Sequence, residues 1–476
     1  MNSLKKQFTH GVLYNAAAKY SGIIIQLVVT AILARLLSPH EFGIIAICTV
    51  AIAFFQQFTD MGIGIAIVQR QDLSSIDYNH LFSFSIYFGV LLSLVFIVAS
   101  YPIAAFYDSS NLVIYMQLLS IQLLFSTFNM VPNALIVKQK KFRFLAIRQV
   151  SIQFVMGVFA CLAAFHGCGV YSLLITPIFS SVFTFIVTFR ANNLIFLPKF
   201  SLQPLRKIFS YSFYQLAFGI VNYFSRNLDK LLIGRYLNMS ALGYYEKSYR
   251  LVLLPMLNIT GVINPVVQPV LAELQSDRER LSHYLYKILS IINMICFPLS
   301  ILAFFSSKEI IILFFGDQWY NAIPCFQILS LSIGMQAANN ISGSFFQVAN
   351  DTKTMFWIGT FNALENVLGF FISIYFFGSI EAVAWGVTIV FTLCFIQTYY
   401  VLFCKVLKSS FLKLIYQLFH PVLCSSILGL LLYVRGNLIN CNFLFSLIIN
   451  IIIFVLVVLI YYHSIGVNIK SILKNE

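Results

Sequence analysis

The stretch SRNLDKLLIGRYLNMSALGYYEKSYR, residues 225–250, holds Arg226, Asp229, Lys230, Arg235, Glu246, Lys247 and Arg250 in a chain that is only 10% charged. Arg and Lys at this density form charge-assisted hydrogen bonds to phosphate oxygens. A related pattern stands near the start of the chain. Asn15, Lys19, Gly22 and Gln26 follow the spacing four, three, four, which is one face of a helix. Gln215, Gly219, Asn222 and Arg226 repeat that spacing, and Asp229 and Lys230 extend it. Leu, Ile, Phe and Val fill the rest of both segments. Polar amide walls with surplus positive charge suit an anionic ligand rich in hydroxyls, with phosphate or pyrophosphate bound to sugar fitting best.

Five cations lie inside apolar stretches: Lys19, Arg226, Lys230, Lys247 and Arg250. Four acids stand against them: Asp60, Asp229, Glu246 and Glu365. Arg226 with Asp229 and Glu246 with Arg250 have the spacing of structural bridges along a helix. Lys19 has no acid near it in sequence.

The elements that position these residues follow from composition. The chain is 60% hydrophobic and 16% aromatic over 476 residues. A soluble domain is roughly 45–50% apolar and about 25% charged. The class is therefore a polytopic membrane protein. Apolar windows predict about fourteen helices, near 12–35, 42–66, 80–106, 112–137, 146–165, 169–190, 208–235, 241–267, 284–305, 321–348, 355–378, 381–404, 411–433 and 442–463. Helices are expected because lipid requires each segment to satisfy its own backbone hydrogen bonds. Pro132, Pro177, Pro255, Pro265, Pro298 and Pro324 fall within spans, as ordinary membrane-helix prolines or as hinges. With the N-terminus in the cytoplasm, 21 of the 30 Lys and Arg lie inside and 4 at outer ends, as the positive-inside rule demands. Both termini are then cytoplasmic. The net charge of +14 reflects topology, and its scatter over separate loops argues against nucleic acid. The first apolar segment reads as a span rather than a cleaved signal peptide, since it exceeds a typical h-region and carries Lys19.

Shifted by 200, the sequence partly matches itself. ILARLLSPHEFG (32–43) lies over LIGRYLNMSALG (232–243), with Arg35 on Arg235, Leu37 on Leu237 and Gly43 on Gly243. The repeat contains six helices, so both halves enter the membrane in the same direction, with a site expected between them near mid-depth. The expected organisation is a six-helix lobe over 1–200, a second over 201–405, and two additional helices with a cytoplasmic tail over 406–476. The register puts 226–230 over 26–30, so Arg226 and Lys230 belong at membrane depth, whereas Arg35 and Arg235 mark the surface.

RNLDKLLIGRYLNMSALGYYEKSYRLVLLP with VINPVVQPVLAELQSDRERL, and LARLLSPHEFGIIAICTVAIAFFQQFTDMGIGIAIVQR near the start, carry a resemblance. They resemble the Wzx-like polysaccharide exporters, in the branch of colanic-acid and teichuronic-acid exporters, within the superfamily that includes the MATE antiporters. The resemblance spans roughly residues 5–405. It implies an all-α fold of two pseudo-symmetric six-helix lobes in a MATE-like V, with two further helices. It implies a flippase in a bacterial inner membrane that moves an undecaprenyl-diphosphate-linked oligosaccharide from the cytoplasmic to the periplasmic leaflet by alternating access. Lys19, Arg226, Lys230, Lys247 and Arg250 would hold the diphosphate, beside the amides Asn15, Gln26, Gln215 and Asn222. Asp60, Asp229, Glu246 and Glu365 are the acids to test for coupling to a proton or sodium counter-ion. The partners implied are the lipid-linked oligosaccharide, membrane lipids and the glycan polymerisation machinery, with no cofactor, metal or nucleic acid.

Two rival functions are weaker. A membrane polymerase or glycosyltransferase should carry a long outer loop with Arg and His, whereas the longest outer connection is roughly 306–320 and mostly apolar. The seven His form no metal or acid–base constellation, and the nine Cys show no C-x-x-C pair. DMGIGIA (60–66) lacks the strand–helix context of a nucleotide fingerprint, so its glycines serve helix packing or a bend. A drug antiporter of the same fold would want acid where Lys19 stands.

Overall fold

A computed structural model describes residues 2–59, 63–70, 72–201, 203, 220, 223–224, 226–271, 274–275, 277–438 and 442–465. Among the described residues every regular element is helical. The chain divides into two compact units, Met1–Gly243 and Tyr244–Glu476.

The first unit holds α1 (Asn2–Leu36), α2 (Pro39–Thr59), α3 (Ile63–Gln69), α4 (Ser75–Phe106), α5 (Asn111–Phe128), α6 (Met130–Lys138), α7 (Phe142–Phe165), α8 (Val170–Arg190) and α9 (residues 226–236). α1 packs on α7, where Gln153 Nε2 donates to the Gly22 carbonyl at 2.9 Å. α4 packs on α5, with Ser93 Oγ donating to Ser120 O at 3.2 Å. α2 meets α5 through the buried hydroxyls of Thr59 and Thr127, 3.1 Å apart. Lys138 Nζ donates to Ile67 O and Tyr78 OH, both at 2.9 Å, and to Arg70 O, closing the free carbonyl end of α3. Residues 195–201 leave the helical ladder and lie along α4, whose side chains satisfy the loose backbone. Asn79 Oδ1 accepts from Ile195 N, Ser83 Oγ from Leu197 N, and His80 Nδ1 from Ser201 N.

α10 (Met239–Leu271) runs 33 residues, from the end of the first unit into the second. At 1.5 Å per residue that is about 50 Å, more than a bilayer core. The second unit continues with α11 (Arg278–Phe305), α12 (Ser307–Phe315), α13 (Ile323–Ser330), α14 (Ile333–Val348), α15 (Thr352–Ile372), α16 (Ile380–Tyr400), α17 (Phe411–Leu438) and α18 (Phe443–Ser464). α15 and α16 each run on into a short π-helical turn, Ser373–Phe377 and Val401–Val406. α11 is the centre of this unit. It packs on α14, where Gly334 N donates to Ser300 Oγ, and on α17, where Leu302, Leu428 and Leu432 form a buried cluster. α18 joins that cluster through Ile453, Phe454 and Val457. A polar clamp adds to it: Arg435 donates to Ser446 at 2.7 Å, Ser446 to Glu309, and Asn450 to Ser306 at 2.9 Å.

Eleven segments among the described residues are long and apolar enough to cross a membrane, and they coincide with eleven of the expected spans. Of the other three, 208–235 lies largely outside the described residues. The span at 241–267 is the continuous helix α10, whose Glu246, Lys247 and Arg250 reduce its hydropathy. The span at 321–348 is built as two helices, α13 and α14, broken at Leu331–Ser332. There the Ser332 hydroxyl donates to Leu329 O at 2.6 Å, competing with the helical ladder. The span at 112–137 is also broken, at Asn129 between α5 and α6. Pro132 has no N–H to give the Phe128 carbonyl, so the ladder opens at that point. The connection at 306–320 is itself mostly helical, with Trp319 fully buried.

Candidate functional site

The charged stretch is organised by a turn that occurs twice. In the first repeat, Leu37 N donates to Leu33 O and Phe42 N to Ser38 O. In the second, Leu237 N donates to Ile233 O and Leu242 N to Asn238 O. Ser38 Oγ accepts from Glu41 N at 3.4 Å, and Asn238 Oδ1 accepts from Ala241 N at 2.7 Å. Both are N-caps, each satisfying an orphan donor of the helix that follows. The two turns also touch. A Cβ on Gly43 would lie 1.8 Å from Met239 O, and one on Gly243 would lie 2.1 Å from Pro39 O. Residues 39 and 239 are themselves a repeat pair, so the contact is reciprocal: each glycine takes the backbone at the other's helix start. That is the signature of a local two-fold relation.

Arg235 is spent on structure. It pairs with Asp108, and its guanidinium lies 5.3 Å from the Phe106 ring. Tyr107 donates to Leu231 O at 3.2 Å, and burial pushes its phenol up from the ordinary value. Tyr223 donates to Val50 O at 2.7 Å and packs its ring on Phe54, which also meets Phe224. These contacts hold Tyr223 and Phe224 against α2.

The charges differ in setting. Arg226 is exposed, Lys230, Glu246 and Arg250 are half-buried, and Asp229 and Lys247 are only 4% and 6% exposed. Asp229 Oδ1 accepts the Lys230 backbone N–H at 2.8 Å. On α1, Asn15, Lys19 and Gln26 are exposed, and Gly22 is covered by Gln153. Asp60, Gln215 and Asn222 lie outside the described residues.

Glu365 stands in a neutral polar cluster across α15 and α16. It accepts from Gln397 Nε2 and, at 3.4 Å, from Cys394 Sγ. Gln397 also donates to Asn362, whose own amide donates to Thr398 Oγ1 at 3.1 Å. The sequence offered Glu365 but not these partners, which come from a neighbouring helix. Among the described residues no group of three or more His, Cys, Asp or Glu could hold a metal ion.

Glu365 is thus held by neutral donors of α16. A family model described as polysaccharide biosynthesis protein matches residues 32–324. The chain belongs to this polysaccharide biosynthesis family. It is 27% identical over 418 residues to the lipopolysaccharide biosynthesis protein WzxC of Escherichia coli, covering 86% of this chain and 83% of that one. It is 25% identical over 392 residues to the teichuronic acid biosynthesis protein TuaB of Bacillus subtilis, covering 82% and 81%. Among solved structures it superposes on the lipid II flippase MurJ in an inward closed conformation with a TM-score of 0.77 at 16% identity, covering 95% of this chain and 99% of that one. An inward-facing MATE multidrug transporter gives 0.60 at 15% identity, covering 80% and 93%. The chain shares the fold of these two structures, and it is a multi-pass membrane protein.

Proposed function

We propose that this chain is a flippase that carries an undecaprenyl-diphosphate-linked oligosaccharide from the cytoplasmic to the periplasmic leaflet by alternating access, and that it is not an enzyme. What supports the reading is the excess of Lys and Arg over acids within apolar stretches of the sequence, in a chain whose relatives are named for polysaccharide biosynthesis. A charge at the bilayer centre costs about 2.5–3.5 kcal/mol on insertion scales, so such residues face a cavity or a partner. Lys19, with its exposed amide neighbours Asn15 and Gln26, is the clearest case. An antiporter for hydrophobic cations would need acid at that position.

In this reading Arg226, Lys230 and Arg250 grip the diphosphate together with Lys19. Lys247, which is buried, is the fifth candidate. Gln215 and Asn222, outside the described residues, are the further amide candidates. Glu365, whose hydrogen-bond partners Gln397 and Cys394 are neutral, is the favoured coupling carboxylate; Asp60, Asp229 and Glu246 are the alternatives. The protein sits in a bacterial inner membrane with both termini in the cytoplasm, organised as lobes over 1–200 and 201–405 with added helices over 406–476. It delivers its cargo to the glycan polymerisation machinery.

The test is alanine substitution of Lys19, Arg226, Lys230, Lys247 and Arg250, one at a time, with surface glycan and protein level measured together. Loss of export at normal protein level is expected. Full export from all five variants refutes the site.

A further inference from the structure

α14 carries a feature that the diphosphate site does not use. Gln336, Asn340, Gly343, Ser344 and Gln347 recur at spacings of four, three, one and three, which places them on one face. No residue of α14 is charged. Asn340 and Gln347 are exposed, Gly343 and Ser344 half-buried. α10 supplies the other side. Asn340 Nδ2 donates to Thr260 Oγ1 at 2.8 Å, Asn264 Nδ2 donates to Asn340 O at 3.3 Å, and Ser344 Oγ donates to Asn264 Oδ1 at 3.3 Å. Above them Tyr249 OH donates to Gln336 Oε1 at 3.3 Å.

Exposed amides within a membrane-spanning unit are costly against lipid and stable against water or a polar ligand. Each Asn side chain offers two donors and two acceptor lone pairs, and the contact of Asn340 to Thr260 uses one. A Cβ built on Gly343 meets nothing within 4 Å, so the ladder borders open space. An uncharged run of amides and hydroxyls beside open space matches a neutral polyhydroxyl group. It does not match a phosphate, which calls for Arg or Lys, or an apolar tail.

We infer that the α10–α14 ladder, Asn264, Asn340 and Ser344 around Gly343, binds the hydroxyls of the sugar portion of the cargo. The inference rests on the flippase reading and adds a division of labour: cations for the diphosphate, this ladder for the glycan. Gly343 keeps the space into which the sugar fits.

The test uses the purified full chain in nanodiscs with two probes. One is undecaprenyl diphosphate without sugar. The other is the undecaprenyl-diphosphate-linked oligosaccharide extracted from source cells lacking the gene. Binding is measured for wild type, Asn264→Ala/Asn340→Ala and Gly343→Leu, with thermal midpoints as a fold control. Gly343→Leu fills open space and favours helix, so it keeps the fold while blocking the sugar. Both variants should weaken the glycan-bearing lipid roughly tenfold, the equivalent of one or two neutral hydrogen bonds, while leaving the bare diphosphate within about twofold. Equal loss for both lipids, or loss for neither, overturns the inference. If wild type binds neither lipid, the flippase reading itself falls.

Discussion

The reciprocal glycine contact yields the sharpest structural prediction. Gly43→Ala places a methyl group 1.8 Å from Met239 O, and Gly243→Ala places one 2.1 Å from Pro39 O. Ordinary contact begins at 3.4 Å, so either change must part the two helix starts by more than about 1 Å. Overpacking relieved by side chains costs roughly 1–3 kcal/mol. Here the obstacle is backbone held in a capped turn, so each single variant belongs at the top of that range. Once one methyl has parted the helices, the second meets less resistance. The double variant should therefore be less destabilised than the sum of the singles, by at least about 1 kcal/mol. The assay is thermal unfolding in detergent at a fixed scan rate, on wild type, both singles and the double. Gly343→Ala is the control: its Cβ meets nothing, and alanine gains up to ~1 kcal/mol over glycine in a helix. Unchanged midpoints for the singles, or strict additivity in the double, would refute the reciprocal crossing.

Other outcomes are expected. Asp108→Ala should cost no more than about 1 kcal/mol, because the partners are 77% and 33% exposed, and export should persist; a complementation assay with a melting curve checks both. Tyr223→Phe removes the hydrogen bond to Val50 O and should lower stability by roughly 1 kcal/mol, read as a shifted unfolding midpoint. Glu365→Gln keeps the shape of the cluster and removes the charge, so stability should hold while transport loses its response to an imposed proton or sodium gradient in proteoliposomes. A response that survives the change would move coupling to another acid.

The cations were legible because charge stands out in so apolar a chain, and insertion cost makes each one informative. The turn was legible too: the shift of 200 pairs Ser38 with Asn238, chemically different residues that perform the same cap. The burial of Lys247 and the exposure of Arg226 were not legible, since they depend on which neighbours each helix face meets in the folded chain. Helix breaks at Asn129 and Ser332 escaped hydropathy, because a proline-opened ladder and a competing hydroxyl leave an apolar window unchanged. The α14 stripe was written plainly in QAANNISGSFFQ. Its neutral residues draw less notice than charge, and Asn264, its partner, lies 76 residues away from Asn340.

The central claim is leaflet transfer of a lipid-linked glycan. Its most direct measurement is deletion of the gene, followed by assay of the lipid-linked oligosaccharide in each leaflet and of the surface glycans. The account predicts that one surface glycan disappears and that its lipid-linked unit accumulates in the cytoplasmic leaflet. An unchanged surface glycan profile, or a lipid-linked unit that still reaches the periplasmic leaflet in the deletion strain, would contradict it.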